Sequence, residues 1–334
     1  MIVTDRAEAM DLYREAQARG WVIPCFNSEN LTTTEAILAA ALEFGRARGI
    51  ARVPVTIGIT LQYPDRPQAV YYSHSRDWST GLKLFLKDLE ILAGPGGPYE
   101  DVAVMVHLDH VIHGLDEGIR TWDMGRFTSI MYDASALPFE ENLKATAAFV
   151  ERFGSQVLVE GACDEINAEG EASDELTSPD QAERYMRETG VDFIVANLGT
   201  EHRSSVSEVR YAGELAREIR DRIGPRLVLH GGTSVQKEAM AHLAEDGICK
   251  VNVWTLLERE SGAELLEHLV RHAGRVAGEA RIRGLKEKQL LGPAVRAEKV
   301  SLDYFSTTAR QAVVFDRMKS IVQGFLSQWY RMEV

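Results

Sequence analysis

The sequence contains few cysteines, and they show none of the spacings that pair them. Its three cysteines, Cys25, Cys163 and Cys249, lie far apart along the chain. Neither a disulfide framework nor a zinc site built from paired cysteines is therefore expected. This cysteine usage fits a reducing compartment.

Long apolar runs and an excess of positive charge are also missing. No apolar run approaches the ~18 residues that a membrane-spanning helix needs, and residues 1–20 form an amphipathic pattern that carries acids. The chain has 50 acidic and 37 basic residues, giving a net charge of -13. Nucleic acid and anionic membranes bind basic surfaces. We therefore expect a cytoplasmic protein that binds a small-molecule substrate and has neither nucleic acid nor membrane as a partner.

Apolar strand patterns alternate with amphipathic helix patterns along the chain. No G-x-G-x-x-G motif follows the first strand, which argues against an open dinucleotide-binding sheet. The alternation favours a closed parallel barrel, a (β/α)8 TIM barrel of the α/β class. The eight predicted strands cover residues 21–27, 50–60, 102–110, 127–133, 157–160, 193–196, 226–230 and 248–252.

The C-terminal part of the chain falls outside these repeats. We predict a barrel domain over 1–280 and a C-terminal extension over 281–334. The extension contains a basic connector punctuated by glycine and proline, followed by an amphipathic helix over 307–330. This helix is interpreted as packing on the barrel or forming an oligomer contact.

The third predicted strand ends in a chemically unusual way, in Val106-His107-Leu108-Asp109-His110. Two imidazoles and a carboxylate at one strand end supply a metal ligand and a proton-transfer group. Strand alternation places His107 and Asp109 on one face and His110 on the other. By itself the pattern fits equally well with two core histidines.

The other strand ends make a site the better interpretation, because the active site of such a barrel lies at the C-terminal ends of its strands. Three histidines, His110, His202 and His230, follow three different strands. Three neutral imidazoles with an open position form a Lewis-acid zinc site, which also accepts cobalt and other divalent metals. Asn27 and Thr60 end the first two strands and are predicted to bind the substrate.

The segment H-G-G-T-S at 230–234 has the character of a phosphate site. Its glycines, Gly231 and Gly232, allow backbone N–H groups to approach an anion, and Thr233 and Ser234 are placed to cap the next helix. Alone, the glycine pair is only a turn. Two further polar residues, Asn252 and Thr255, lie at the eighth strand and could complete the site.

Taken together, these motifs resemble the zinc-dependent class II fructose-bisphosphate and tagatose-bisphosphate aldolases. The matching segments are FNSENLTTTEAILAAA, HLDH, MYDASALPFEENLKAT, LVEGA, GTEHR, LVLHGG, KVNVWT and DYFSTTARQAVVFDRMKSIV. The resemblance implies a C–C lyase of carbohydrate metabolism that cleaves or forms a ketose phosphate or related sugar through a zinc-stabilised enediolate. It also implies a homo-oligomer, a dimer or a tetramer.

The resemblance further implies roles for particular residues. His110, His202 and His230 would bind Zn²⁺, and Asp109 would be the catalytic acid/base. The phosphate- and ketose-binding positions of the family fall on Gly231, Gly232, Asn252 and Thr255.

Several positions depart from the family pattern. Its second acid in the LVEGA segment falls on Ala162, so that only Glu160 remains, and Glu165 is the best match for the proton donor in a shortened acidic loop. Arg203 follows a zinc histidine and suits a carboxylate, sulfonate or phosphate. Trp254 replaces an aspartate, which removes a hydroxyl acceptor and narrows the pocket.

These departures leave three alternatives open. The chain could be an aldolase-like enzyme for a substrate other than a ketose phosphate, a non-catalytic relative, or a different metal-dependent barrel lyase or isomerase.

Overall fold

The computed structural model describes residues 1–64, 66–164, 176–200, 211–232 and 235–330. Its strands are β1 (Ile2–Val3), β2 (Ile23–Asn27), β3 (Val53–Thr60), β4 (Val102–Ile112), β5 (Ser129–Asp133), β6 (Leu158–Ala162), β7 (Phe193–Val195), β8 (Leu227–Leu229) and β9 (Ile248–Val253). The helices are α1 (Arg6–Ala18), α2 (Leu31–Arg48), α3 (Gln68–Tyr71), α4 (Trp78–Ala93), α5 (Phe139–Phe153), α6 (Pro179–Thr189), α7 (Gly213–Ile223), α8 (Lys237–Met240), α9 (Thr255–Arg271), α10 (Ala273–Glu287), α11 (Leu302–Phe305) and α12 (Thr307–Trp329).

Strands β2 to β9 form a closed parallel barrel. Each strand from β2 to β8 pairs with the next strand in the sequence, including β4 with β5. The pairing of β2 with β9 closes the ring. These strands are buried along nearly their whole length, as expected of parallel strands covered on both faces. The predicted (β/α)8 barrel is confirmed. The short β1, which pairs with the first half of β4, was not predicted.

Local sequence signals set the helix ends. Asn30 caps α2 by accepting hydrogen bonds from the backbone N–H groups of Thr32 and Thr33, and Gly49 ends the same helix in the left-handed conformation. Asp77 caps α4 in the same way as Asn30. The Asn30 cap fixes where the chain leaves β2 and therefore where Asn27 lies.

The connection between β4 and β5 differs from the alternating pattern, which predicts a helix near 115–124. It forms two short 3-10 turns instead, Glu117–Thr121 and Met124–Arg126. A tight turn forms there because the Asp116 carboxylate accepts the N–H of Ile112 at 2.9 Å. The α-helix after β8 begins at Lys237 with Gln236 as its N-cap. The residues predicted to cap this helix, 233 and 234, lie outside the described residues.

The C-terminal helix α12 packs on the barrel. It lies against α2 and α9, and its Phe325 ring is 6.1 Å from the Phe26 ring of β2. Tyr330 donates its hydroxyl to the carbonyl oxygen of Pro54 in β3. Residue 280, the predicted end of the barrel domain, lies inside α10. Among the described residues, no helix is both long and apolar enough to cross a membrane.

The barrel interior contains a buried ion pair. Lys250 on β9 donates to both carboxylate oxygens of Glu160 on β6, at 2.6 and 2.7 Å, and neither side chain is exposed. The Lys250 ammonium also lies 3.3 Å from Nε2 of His107 on β4, whose Nδ1 is 2.8 Å from the Ser129 hydroxyl. Although burial opposes it, the Glu160 carboxylate raises the pKa of Lys250. The ammonium therefore donates to Nε2, and His107 carries its proton on Nδ1.

We expect Lys250→Met to lower the free energy of unfolding by about 3–5 kcal/mol, because it leaves the Glu160 carboxylate buried without its cation. Urea-induced unfolding followed by circular dichroism measures the change. The control Lys319→Met breaks an exposed pair with Glu43 and should cost no more than about 1 kcal/mol. Equal losses in the two variants would contradict the assigned role of the buried pair.

Candidate active site

A bulge in β4 brings two consecutive side chains into one site. The pairing of β4 with β5 shifts register between Leu108 and Val111, and His110 has a φ of 49°, in the left-handed region that non-glycine residues rarely adopt. As a result, Asp109, His110 and His230 each offer a ligand atom within 4.8 Å of the others. The predicted alternation, with His110 on the opposite face from Asp109, therefore fails at the bulge.

Asp133 at the end of β5 orients His110. Its Oδ2 is 2.7 Å from Nδ1 of His110, and its Oδ1 accepts the N–H and the hydroxyl of Ser135. Burial alone raises the pKa of Asp133, but the hydrogen bonds from His110 and Ser135 outweigh it and lower that pKa. Asp133 is therefore an anion that accepts the Nδ1 proton, so Nε2 is the nitrogen that would bind an ion.

The Asp109 carboxylate is surrounded by donors. Its Oδ2 accepts from Nδ2 of Asn27 at 2.6 Å and from the Arg66 guanidinium at 2.8 Å, and its Oδ1 accepts from Nδ2 of Asn252 at 3.1 Å. Burial raises the pKa of Asp109, but His110, His230 and Arg66 outweigh burial and hold that pKa well below its usual range. Asp109 is thus an anion, which is the form a proton acceptor needs.

The segment between β3 and α3 supports this carboxylate. The Thr60 hydroxyl donates to the carbonyl of Arg66, and the Thr60 N–H donates to the Gln68 side-chain oxygen at 2.9 Å. The same Gln68 oxygen accepts from Asn27 at 3.2 Å. Gly58 leaves room for Asn27, since a Cβ there would lie 2.9 Å from its Oδ1. The structure thus gives Thr60 a positioning contact.

Trp254 is fixed at the C-terminal end of β9. Its indole N–H donates to Oε1 of Glu29 at 2.6 Å, and the Gln68 amide donates to the same oxygen at 2.7 Å. The Arg66 guanidinium lies over the Trp254 ring, 4.9 Å from the centroid. One turn into α9, burial and the Glu29 carboxylate raise the pKa of Glu258 to about 7. Trp254 therefore contacts both the Arg66 guanidinium and Glu29, the acid that lies near Glu258.

The structure brings together five of the residues predicted for the site: Asn27, Asp109, His110, His230 and Asn252. Gly231 and Gly232 follow β8 directly; Gly231 has a φ of 66°, and a Cβ on Gly232 would lie 2.4 Å from Val251. Thr255 begins α9. The remaining predicted residues, Glu165, His202, Arg203 and Ser234, lie outside the described residues.

Sequence reasoning assigned no role to Arg66, Gln68, Glu29 or Asp133. Asp133 was among the strand-end residues that the sequence grouped with Asn27, but its role as the partner of His110 was not predicted. Glu29 and Arg66 lie on connecting segments and Gln68 begins the short helix α3, where the strand-end rule does not apply.

The donor set fits a divalent metal ion of the zinc type. It consists of the buried imidazoles of His110 and His230, with the Asp133 carboxylate behind His110 and the Asp109 carboxylate beside both rings. The fold and this cluster define a (β/α)8 barrel with a candidate metal site at the C-terminal ends of its strands. Residues 7–301 match the sequence model of the family described as fructose-bisphosphate aldolase class-II. The chain therefore belongs to the class II fructose-bisphosphate aldolase family.

Solved structures with the same fold include proteins described as aldolases. A fructose-bisphosphate aldolase from Campylobacter jejuni aligns with 98% of this chain and 95% of its own, at 17% identity and a TM-score of 0.75. The YdjI aldolase from Escherichia coli K12 is 20% identical over 95% of this chain and 94% of its own, with a TM-score of 0.63. A putative fructose-1,6-biphosphate aldolase from Coccidioides immitis is 22% identical over 96% and 95%, with a TM-score of 0.65.

The raised pKa of Glu258 predicts a pH dependence of stability. The folded protein holds this proton up to about pH 7, whereas an unfolded chain releases it near the ordinary value of 4.5. The free energy of unfolding should therefore fall as the pH rises from 4.5 to 7, by an amount on the order of 3 kcal/mol.

Glu258→Gln should remove this component, as measured by urea unfolding across that pH range. The control Glu264→Gln changes an exposed acid on the same helix and should leave the slope as in the parent protein. An unchanged slope in Glu258→Gln would show that another group carries it.

Proposed function

We propose that this protein is a metal-dependent aldolase that cleaves or forms a C–C bond in a ketose phosphate or related sugar. The observation that carries the proposal is the placement of Asp109, an ionised buried carboxylate, within 4.8 Å of the ligand atoms of His110 and His230. Aldol cleavage needs a base for a hydroxyl and a positive charge near the neighbouring carbonyl. Family membership supports the same reaction type.

In the cleavage direction, Asp109 accepts the proton of the substrate hydroxyl on the far side of the bond that breaks. The electrons of the O–H bond form the aldehyde carbonyl, and those of the C–C bond pass to the fragment that keeps the original carbonyl. An acid then returns a proton to that fragment and completes the reaction.

His110 and His230, with His202 as the proposed third ligand, would hold the metal ion, for which we propose Zn²⁺. When bound, the ion supplies the positive charge that polarises the substrate carbonyl and stabilises an enediolate. Asp133 keeps His110 in the tautomer that directs Nε2 at the ion.

The proton donor must be an acid other than Glu160, because both of its oxygens are bound by Lys250. Glu165 remains the proposed donor. The phosphate- and ketose-binding role proposed for Gly231, Gly232, Asn252 and Thr255 rests on the family resemblance, and that of Ser234 rests on its position after the glycine pair. Arg203 is proposed to bind an anionic group.

A second candidate, an aldolase-type enzyme for a substrate other than a ketose phosphate, is favoured by one observation. The Trp254 ring and the Arg66 guanidinium lie together beside Asp109, where they narrow the site. Release of dihydroxyacetone phosphate from a panel of ketose 1-phosphates and 1,6-bisphosphates tests the two candidates. Zinc-dependent release supports the ketose phosphate substrate, whereas no release by protein shown to carry zinc supports the second candidate.

We predict that Asp109→Ala abolishes turnover but retains zinc, because the variant loses the proton acceptor and keeps the histidines. His230→Ala should lose both. Zinc content by mass spectrometry and a cleavage assay measure the two effects, with the exposed His242→Ala as a control that keeps both. Zinc at the parent stoichiometry in His230→Ala would refute the ligand assignment.

We predict that Asp133→Asn lowers zinc affinity about 10–100-fold, because an amide holds the His110 tautomer less firmly than a carboxylate does. Competition with a chromogenic chelator measures the affinity. Asp123→Asn, which alters an exposed turn cap, is the matched substitution and should bind zinc like the parent. Similar affinities in the two variants would count against the role of Asp133.

A further inference from the structure

The hydrogen bonds of Asp109 pose a problem for its role as a base. Two donors, Asn27 and Arg66, bind Oδ2, and Asn252 binds Oδ1. A carboxylate that is to accept a proton from a substrate hydroxyl must give that hydroxyl a place at one of its oxygens. Oδ2 already accepts two hydrogen bonds, so a substrate hydroxyl can bind that oxygen only when one of its two donors, Asn27 or Arg66, moves away.

Arg66 is the donor placed to move. Asn27 and Asn252 lie on the barrel strands β2 and β9, within the parallel ladder. Arg66 lies between β3 and α3, outside any helix or strand, and its side chain is 12% exposed where that of Asp109 is 1% exposed. Moving a long side chain on a connecting segment disturbs no ladder hydrogen bond.

The Arg66 guanidinium has contacts that do not depend on Asp109, and it has an N–H group that could bind an anion. It lies between two aromatic rings, 4.9 Å from the centroid of Trp254 and 5.7 Å from that of Tyr63. These contacts hold a cation at this position without Asp109. Its Nε is buried and has no hydrogen-bond partner among the described residues. Nε and a terminal nitrogen form the fork that binds an oxyanion.

The rest of the site has unsatisfied acceptors. In the described part of the chain, the side-chain oxygens of Asn27 and Asn252 are buried and receive no hydrogen bond. Each oxygen can accept a hydrogen bond from a substrate hydroxyl, and each belongs to a residue that already contacts Asp109. A cationic fork beside two acceptors fits a polyhydroxylated molecule with an anionic end.

We propose that Arg66 is the residue that selects the substrate: it exchanges Asp109 for a carboxylate or phosphate group of the substrate and thereby frees Oδ2 for the hydroxyl proton. This proposal rests on the proposed aldolase function of the same site. Arg66 would then be a substrate-binding residue, and the Trp254 ring would be the surface along which its guanidinium moves from Asp109 to the substrate anion.

Binding of three related probes to the zinc-loaded protein tests the proposal by calorimetry. Dihydroxyacetone is neutral, hydroxypyruvate carries a carboxylate, and dihydroxyacetone phosphate carries a phosphate, so the two anionic probes distinguish the two anions. The test variant is Arg66→Met, which keeps the apolar stem. The control is Arg76→Met, which removes an exposed arginine that also packs on a tyrosine ring, 4.1 Å from Tyr71.

We expect the parent protein and Arg76→Met to bind one anionic probe about 10- to 100-fold more tightly than dihydroxyacetone, as charged hydrogen bonds of this kind provide. Arg66→Met should lose this preference and bind dihydroxyacetone as the parent does. Arg66→Lys keeps the charge without the fork and should retain part of the preference. Anion preference at the parent level in both Arg66 variants would overturn the proposal.

The result can be separated from the fate of the proposed function, because binding requires no turnover. An anion preference that Arg66→Met abolishes supports the role of Arg66 even if no ketose in the panel is cleaved. Conversely, a protein that cleaves a ketose phosphate equally well with methionine at position 66 is an aldolase in which Arg66 does not select the substrate.

Discussion

The structure depends on keeping one carboxylate, Asp109, ionised inside a barrel that excludes water. Burial alone would raise its pKa, and a protonated Asp109 could not accept a hydroxyl proton. The barrel compensates with nearby positive charge and directed N–H groups. The Lys250–Glu160 pair beneath it is neutral as a unit, while Lys250 fixes the proton of His107, whose Nε2 lies 3.8 Å from Asp109. Arg66 supplies the remaining positive charge.

The same requirement explains the strained backbone at His110. A regular strand would direct Asp109 and His110 to opposite faces, leaving the proposed base and the proposed metal ligand in separate environments. The bulge and the left-handed residue bring both side chains to one point. Such strain persists only where neighbours fix it. Here Asp133 does so by holding the His110 ring from behind.

The barrel could be predicted from the sequence because each of its strands is a short apolar run followed by a polar residue. The strand-end rule then grouped Asn27, Asp109, His110, His230 and Asn252 correctly, since parallel strands bring their C-terminal ends together. The bulge could not be predicted in this way, because residue types do not reveal a left-handed φ at a histidine.

The ion pair and the role of Arg66 were also beyond sequence reasoning. Lys250 and Glu160 lie 90 positions apart, and only the closed ring shows that they face each other. Arg66 stands in a polar connection without a periodic pattern, so nothing in its neighbourhood relates it to Asp109. A buried charge is recognised by the opposite charge that pairs with it. When the two residues are far apart in sequence, their pairing becomes visible only in the folded structure.

Trp254 stands where the family resemblance implies an acid, and it gives the Arg66 guanidinium an aromatic surface in place of a carboxylate. Glu29 is an acid nearby, but its Oε1 is bound by Trp254 and Gln68. Among the described residues, Arg66 therefore has Asp109 as its carboxylate partner. Because the indole covers one face of the guanidinium, a substrate anion that replaced Asp109 would bind at the guanidinium edge, where the N–H donors lie.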